Sequence, residues 1–197
     1  MKKVWIGVLV VAAVALLGVM IFGGMYNRLV AADEGVSSAW GQVQSVYQRR
    51  MDLIPNLVET VKGYAAHESK TLEEVVNARS KISQMSVSPE TANDPAALEK
   101  FQQAQQGLSG ALSRLLVVVE RYPDLKANQN FLALQSQLEG TENRIAVERM
   151  RFNEAAQGFN TLRRSFPANV VANLGGFKEK AYFKADEAAA QAPVVKF

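Results

Sequence analysis

Residues 128–166 read NQNFLALQSQLEGTENRIAVERMRFNEAAQGFNTLRRSF and hold a continuous apolar pattern. Apolar residues recur at alternating steps of three and four, the spacing of one face of an α-helix. Pro167 follows, and a proline ends a helix because it lacks an amide hydrogen. The segment therefore predicts one long helix with a single core-facing seam. The seam positions are Phe131, Leu134, Leu138, Thr141, Ile145, Glu148, Phe152, Ala155, Phe159, Leu162 and Phe166.

Three shorter amphipathic segments precede this helix, at about 40–64, 72–82 and 98–119. Turn-forming residues at 86–95 separate the last two, and Asp94-Pro95 is typical of a helix start. The pattern predicts an all-α protein whose residues 26–166 form an antiparallel up-and-down four-helix bundle. Residues 167–197 form a tail that either docks on the bundle or awaits a partner. We expect docking, because exposed apolar clusters are normally covered.

The chain begins with a segment suited to a membrane. Residues 4–25, VWIGVLVVAAVALLGVMIFGGM, carry no charge over 22 residues. A helix of that length spans roughly 30 Å, the thickness of the hydrocarbon core. The alternative is a cleaved signal peptide, but the run exceeds the usual signal core of about 7–15 residues. Residues 1–25 are thus predicted to be an uncleaved anchor in the lipid bilayer.

The charges beside this anchor bear on its orientation. Lys2 and Lys3 lie on one side, against Arg28 alone in the first residues of the other. The positive-inside tendency places the short N-terminus in the cytoplasm and the body outside.

The charge and the cysteine content of the chain exclude several classes of protein. The chain is 48% hydrophobic, has no cysteine and carries a formal charge of +3. Much of that charge comes from the two N-terminal lysines, so the body lacks the basic face that nucleic acid requires. The absence of cysteine excludes disulfides and thiolate metal sites. No nucleic-acid partner is expected.

Residues 51–68, MDLIPNLVETVKGYAAHE, contain the only histidine, His67. A helical zinc site needs a second histidine four residues later, where Thr71 stands. No nucleophile motif or phosphate loop occurs, so no enzymatic activity, metal or cofactor is expected. Two rivals are a carboxylate-dependent hydrolase inside the bundle and a ligand-binding sensor with an internal pocket. Pro55 removes a helical hydrogen bond to the Met51 carbonyl and predicts a kink.

A buried ion pair is a further hypothesis. Glu148 shares the seam of the last helix, and Arg50 is in helical phase with Tyr47 and Ile54. A buried charge is costly without a partner, so Arg50 and Glu148 are expected to pair. The alternative is a local rotation that carries Glu148 to the surface.

Small residues follow the membrane segment at every fourth position. These are Gly23, Asn27, Ala31, Gly35 and Ala39, here called the ridge. Such a surface lets a second helix approach closely, and anchored chains are already concentrated in one plane. The ridge predicts a homo-oligomer. It could equally accept the protein's own tail or another helix of the body.

Three motifs give the chain a family resemblance: LIPNL at 53–57, YPDLKAN at 122–128 and EGTENRI at 139–145. In combination they resemble the LemA family of bacterial membrane proteins, and the likeness extends from Tyr26 to Phe197. One departure is Phe152-Asn153, where the family more often has Tyr-Asn. The resemblance implies a membrane helix followed by an antiparallel helical bundle, in the bacterial cell membrane. It implies no established activity or cofactor, and it associates the protein with membrane proteases of envelope quality control.

Overall fold

The computed structural model describes residues 2–85 and 88–184. The apolar end of the predicted tail, Val194, Val195 and Phe197, lies outside the described residues. Within the two ranges every regular element is helical. The elements are α1 (Lys2–Tyr64), α2 (Ser69–Ser83), a 3₁₀-helix (Pro89–Asn93), α3 (Pro95–Val119), α4 (Pro123–Lys126), α5 (Gln129–Arg164) and α6 (Ala168–Leu174).

The predicted anchor and the first helix of the body form one continuous helix. α1 has 63 residues, which corresponds to a rod of about 95 Å at the α-helical rise. Its large apolar side chains from Trp5 to Phe22 are exposed, as expected for a surface that faces lipid. Among the described residues, α1 is the one helix long and apolar enough to cross a membrane.

Side-chain caps fix the starts of α3 and α5. Asp94 Oδ1 accepts the Ala96 amide hydrogen at 2.9 Å and thereby begins α3. Asn128 Oδ1 accepts the Phe131 amide hydrogen at 3.0 Å and begins α5. Both starts confirm the sequence prediction. The predicted end of the last helix is wrong by one or two residues, because α5 stops at Arg164. Phe166 consequently leaves the seam and is 85% exposed.

The long helices form two antiparallel pairs. Along α1 and α5, residue numbers rise on one helix as they fall on the other. The contacts that show this are Tyr64 with Asn128, Arg50 with Glu142 and Trp40 with Phe152.

The second pair is α2 with α3. Arg114 of α3 bonds Glu74 of α2 at 2.9 Å. Beyond the ends of these helices, Glu68 accepts hydrogen bonds from Arg121 and Tyr122. The hydrogen bond from Tyr122 to this carboxylate raises the pKa of the Tyr122 phenol. These bonds connect α2 to the end of α3 on the side of the body that lies far from the apolar segment of α1.

Aromatic rings join the two pairs in the core. Trp40 of α1 is fully buried and lies 5.9 Å from the Phe101 ring of α3 and 5.5 Å from the Phe152 ring of α5. Tyr47 meets Phe101 edge-on at 5.0 Å. Such tilted and edge-on rings pack favourably beyond their burial. The side chains of α1 therefore connect α3 to α5.

Pro55 lies inside α1, and the helix continues through it. Proline has no amide hydrogen, so the Met51 carbonyl four residues earlier loses its helical donor. Arg79 of α2 supplies the replacement, since its Nε donates to the Met51 carbonyl oxygen at 3.2 Å. The backbone group released by the proline thus becomes an attachment point for α2.

This bond predicts energetic coupling between Pro55 and Arg79. Arg79→Met should lower the free energy of unfolding by about 1–2 kcal/mol, because a buried carbonyl loses its donor. In a Pro55→Ala background residue 55 regains an amide hydrogen, so the same change should cost less. Thermal unfolding of both single variants and the double variant by circular dichroism measures the coupling. Lys81→Met, at an exposed position of α2, serves as the control. Equal costs in the two backgrounds would contradict the prediction.

Candidate functional site

Residues 177–184, which we call the strap, are held by paired hydrogen bonds from side chains of the body. The strap follows α6 and Gly176, whose φ of 70° reverses the chain without the strain that a side chain would cause. It contains no helix or strand. It lies between α3 and α5 and bonds to both. The expected docking of the tail on the body therefore holds for the strap.

Three side-chain amides bind the strap backbone, and each makes a reciprocal pair of hydrogen bonds. Asn160 donates to the Lys180 carbonyl and accepts the Lys180 amide hydrogen, both at 2.9 Å. Asn153 does the same for Phe183 at 3.0 and 2.9 Å. Gln102 of α3 pairs with Lys184 at 2.9 and 3.2 Å. An amide side chain presents a donor and an acceptor side by side, so it can replace a neighbouring strand.

The spacing of these amides matches an extended chain. Asn153 and Asn160 are seven residues apart on α5, a rise of about 10.5 Å. Lys180 and Phe183 are three residues apart in extended backbone, a span of about 10 Å. Lys180 and Phe183 therefore both bond α5, and the next residue, Lys184, bonds Gln102 on α3.

The strap also contributes side chains to the core. Phe183 is 5% exposed and stacks 6.0 Å from Trp40. Lys180 is 7% exposed, and its Nζ bonds Asp33 at 2.5 Å and Asn93 at 2.7 Å. A buried ammonium requires such partners because desolvation is costly. The strap is therefore joined to the middle of α1 as well as to α3 and α5.

The sequence analysis missed the three amides. A signal was nevertheless present, because Phe-Asn occurs twice at seven-residue spacing, at 152–153 and 159–160. In each dipeptide the phenylalanine is buried in the core and the asparagine beside it bonds the strap. A seven-residue repeat of a polar residue thus indicates a shared helix face, as the repeat of apolar residues does in the seam.

Arg50 is buried as expected, at 2% exposure, but the predicted partner is wrong. Its Nη1 donates to Glu142 Oε2 at 2.7 Å and to Ser109 Oγ at 3.0 Å, and its Nη2 donates to Gln105. Glu148 lies one and a half turns further along α5 and pairs with Arg151 at 2.8 Å. The antiparallel register of α1 and α5 brings Glu142, not Glu148, level with Arg50. The guanidinium thereby joins α1, α3 and α5.

A pocket of about 250 Å³ opens beside this arginine. α1, α2 and α3 contribute the lining, with Tyr47, Met51 and Phe101 on its apolar side and Arg79 and Gln105 among its polar groups. Gln105 Nε2 is buried and has no acceptor in the part of the chain that the structure describes. The arrangement could hold a small molecule that bears a hydrogen-bond acceptor.

Acidic and histidine side chains form no metal cluster in residues 2–85 and 88–184. His67 is exposed in the turn between α1 and α2. His67 is not among the residues that line the pocket or bond the strap.

The ridge lies on an open side of α1. Gly23, Asn27, Ala31 and Gly35 are exposed, and Ala39 is half-buried against the core. A Cβ added at Gly23 or Gly35 would meet no atom within 4 Å. At these glycines, neither the strap nor another described helix covers the ridge.

Comparisons with known proteins identify relatives of this chain. The sequence model of the LemA family matches residues 39–197. Magnetosome protein MamQ of Magnetospirillum gryphiswaldense is 28% identical over an aligned length of 186 residues, and the alignment covers 86% of this chain and 68% of the relative. Protein LemA of Metamycoplasma hominis is 26% identical over 167 residues, 85% of this chain and 72% of the relative.

The reciprocal amide pairs predict that α5 holds the strap in place. Asn153→Leu should expose the Phe183 amide to solvent exchange and cost about 1–3 kcal/mol of stability, because buried backbone groups lose their partners. Hydrogen–deuterium exchange of the strap measures the effect. Asn143→Leu, at an exposed position of α5, is the matched control. Unchanged protection at Phe183 in the Asn153 variant would show that the amide is dispensable.

The observed partner of Arg50 makes a second prediction. Glu142→Gln removes a carboxylate that is 57% exposed from a buried guanidinium and should lower stability by about 1 kcal/mol. For a chain of this size that corresponds to a melting temperature lower by about 2–4 °C. Glu148→Gln removes the pair with Arg151, whose side chain is 63% exposed, and should change the melting temperature little. A larger loss of melting temperature in the Glu148 variant than in the Glu142 variant would instead support the Arg50–Glu148 pair predicted from sequence.

Proposed function

Because this chain belongs to the LemA family, we propose that it is a membrane-anchored helical scaffold of the bacterial envelope. In this proposal α1 crosses the bacterial cell membrane once, and the body assembles with copies of itself and binds other proteins. The chain performs no chemistry of its own. The support comes from the apolar span of α1 and from the binding surfaces of the body.

The observation that carries the proposal is the open ridge of α1. It begins within the apolar span at Gly23 and continues past it to Gly35, both open to close approach. Close approach of two helix backbones gains van der Waals contact without displacing side chains. Anchored copies are held in one plane, so a weak contact is sufficient for association. A homo-oligomer built along α1 is the assembly that this surface supports.

The arrangement of the body belongs to the same proposal. α1, α2, α3 and α5 serve as the four members of an up-and-down bundle over residues 26–166. The antiparallel pairs α1 with α5 and α2 with α3 support it. The two lysines before the span favour a cytoplasmic N-terminus, which places this body on the outer side of the membrane.

Partners other than a second copy follow from the family. The resemblance associates the chain with membrane proteases and other envelope proteins. The part of α1 beyond the span, residues 26–64, holds the far end of the body about 60 Å from the bilayer. That end carries exposed apolar side chains such as Val117, which is 71% exposed. A scaffold of this shape could reach the extramembrane domains of neighbouring proteins.

The pocket beside Arg50 favours a second candidate function, a ligand-binding sensor. Its 250 Å³ approaches the range of about 300–1,000 Å³ that is usual for ligand sites. The unpaired amide hydrogen of Gln105 and the guanidinium of Arg79 would favour a ligand with oxygen acceptors. Because Arg79 also bonds the Met51 carbonyl, such a ligand would act on the contact between α1 and α2.

The third candidate is a carboxylate-dependent hydrolase within the body. On α5, Glu142 is occupied by Arg50 and Glu139 by Gln135. Glu148 is bonded to Arg151. These carboxylates lie in separate contacts, and no specific observation favours their joint action on a substrate.

Self-assembly along the ridge predicts the effect of a bulky substitution. Gly35→Leu should separate the particle into monomers, because the added side chain prevents close approach while leaving the exposed helix intact. Light scattering of the detergent-extracted protein measures particle mass, and circular dichroism checks the helical content. Gly41→Leu, on α1 but off the ridge and equally open, should leave the particle unchanged. A wild-type protein that is already monomeric would contradict self-assembly.

A further inference from the structure

α6 has one buried and one exposed apolar side. Ala168, Val171 and Ala172 are buried against the body. On the other side Val170 is 41% and Leu174 80% exposed, four residues apart and hence on one face of the helix. Phe166 is 85% exposed in the turn that precedes α6. We call Phe166, Val170 and Leu174 the α6 face.

Contacts with α1 place this face at the edge of the membrane segment. Val171 and Ala172 belong to the same core cluster as Leu29, and Met25 packs against that cluster. Directly after α6, the Phe177 ring meets the Tyr26 ring edge-on at 5.7 Å. The uncharged segment of α1 ends at residue 25. α6 therefore lies beside the turn of α1 that leaves the hydrocarbon core.

Charged residues around the face are mostly basic. Arg164 and Lys178 are exposed on either side of α6, and Arg28 is exposed on α1. Arg163 donates its Nε hydrogen to the Phe177 carbonyl at 2.8 Å, and Glu179 follows as the acidic residue of this segment. Apolar side chains next to basic ones are the composition of helices that lie in a membrane interface.

We propose, building on the proposed crossing of the bilayer by α1, that the α6 face inserts into the interface of that bilayer as a second membrane contact of the body. Phe166 and Leu174 enter the boundary between head groups and acyl chains, while the neighbouring basic residues remain at the head groups. The lipid surface is the occupant because α6 packs beside Met25 and Leu29, where the uncharged segment of α1 ends, and because exposed basic side chains flank the face.

Site-directed spin labelling tests this contact in the full chain, which has no cysteine. Single variants Phe166→Cys and Leu174→Cys carry a nitroxide, and Val117→Cys at the far end of α3 is the matched exposed control. The proteins are reconstituted in phosphatidylcholine vesicles that contain phosphatidylglycerol. Collision with oxygen reports contact with acyl chains, and collision with a water-soluble nickel chelate reports contact with water.

The proposal expects an oxygen-to-nickel collision ratio several-fold higher at 166 and 174 than at 117. Circular dichroism must show that each labelled protein retains its helical content, which is expected because all three positions are exposed. A label at 174 that is as accessible to the nickel chelate as the label at 117 would overturn the proposal. Labels shielded from both reagents would overturn it too, because another protein surface would then cover the face.

Discussion

A segment without helix or strand that packs among helices has backbone hydrogen-bonding groups that no adjacent strand can satisfy, and the body of this protein is built around that constraint. The strap fills the space between α3 and α5, so its amide and carbonyl groups face side chains. Leaving them unpaired would cost about 1–3 kcal/mol for each group. Asn153, Asn160 and Gln102 meet the requirement with two bonds apiece. Once they do, Phe183 can complete the aromatic core at Trp40.

The same contacts join the strap to the end of the body that lies beside the apolar segment of α1. Lys180 ties the strap to Asp33 near the start of the body, and Phe177 packs on Tyr26. The short helix α6 is held there by its buried side, which leaves its other side exposed. The opposite end of the body closes with ordinary polar contacts around Glu68. The strap thus organises the end of the body that adjoins the apolar segment of α1.

Local chemistry explains which parts of this fold the sequence could predict. Caps and prolines act within a few residues, so the starts of α3 and α5 were predictable from Asp94 and Asn128. Register between helices depends on turn geometry and packing, which periodicity does not contain. Arg50 was therefore assigned to Glu148 when antiparallel packing places Glu142 beside it. The strap has no period at all, and its partners are polar residues that hydrophobic patterns ignore.

The ridge and the α6 face lie on different sides of α1, and this separation makes their roles compatible. Leu29 and Val36 are buried in the core cluster that also holds α6, whereas Ala31 and Gly35 are exposed. A helix anchored only by its span can rotate about its own axis, and its small-residue surface then faces a neighbour only part of the time. A second lipid contact at α6 would restrict that rotation and orient the ridge in the membrane plane. Preorganisation of this kind lowers the entropy cost of association without adding any contact between the subunits.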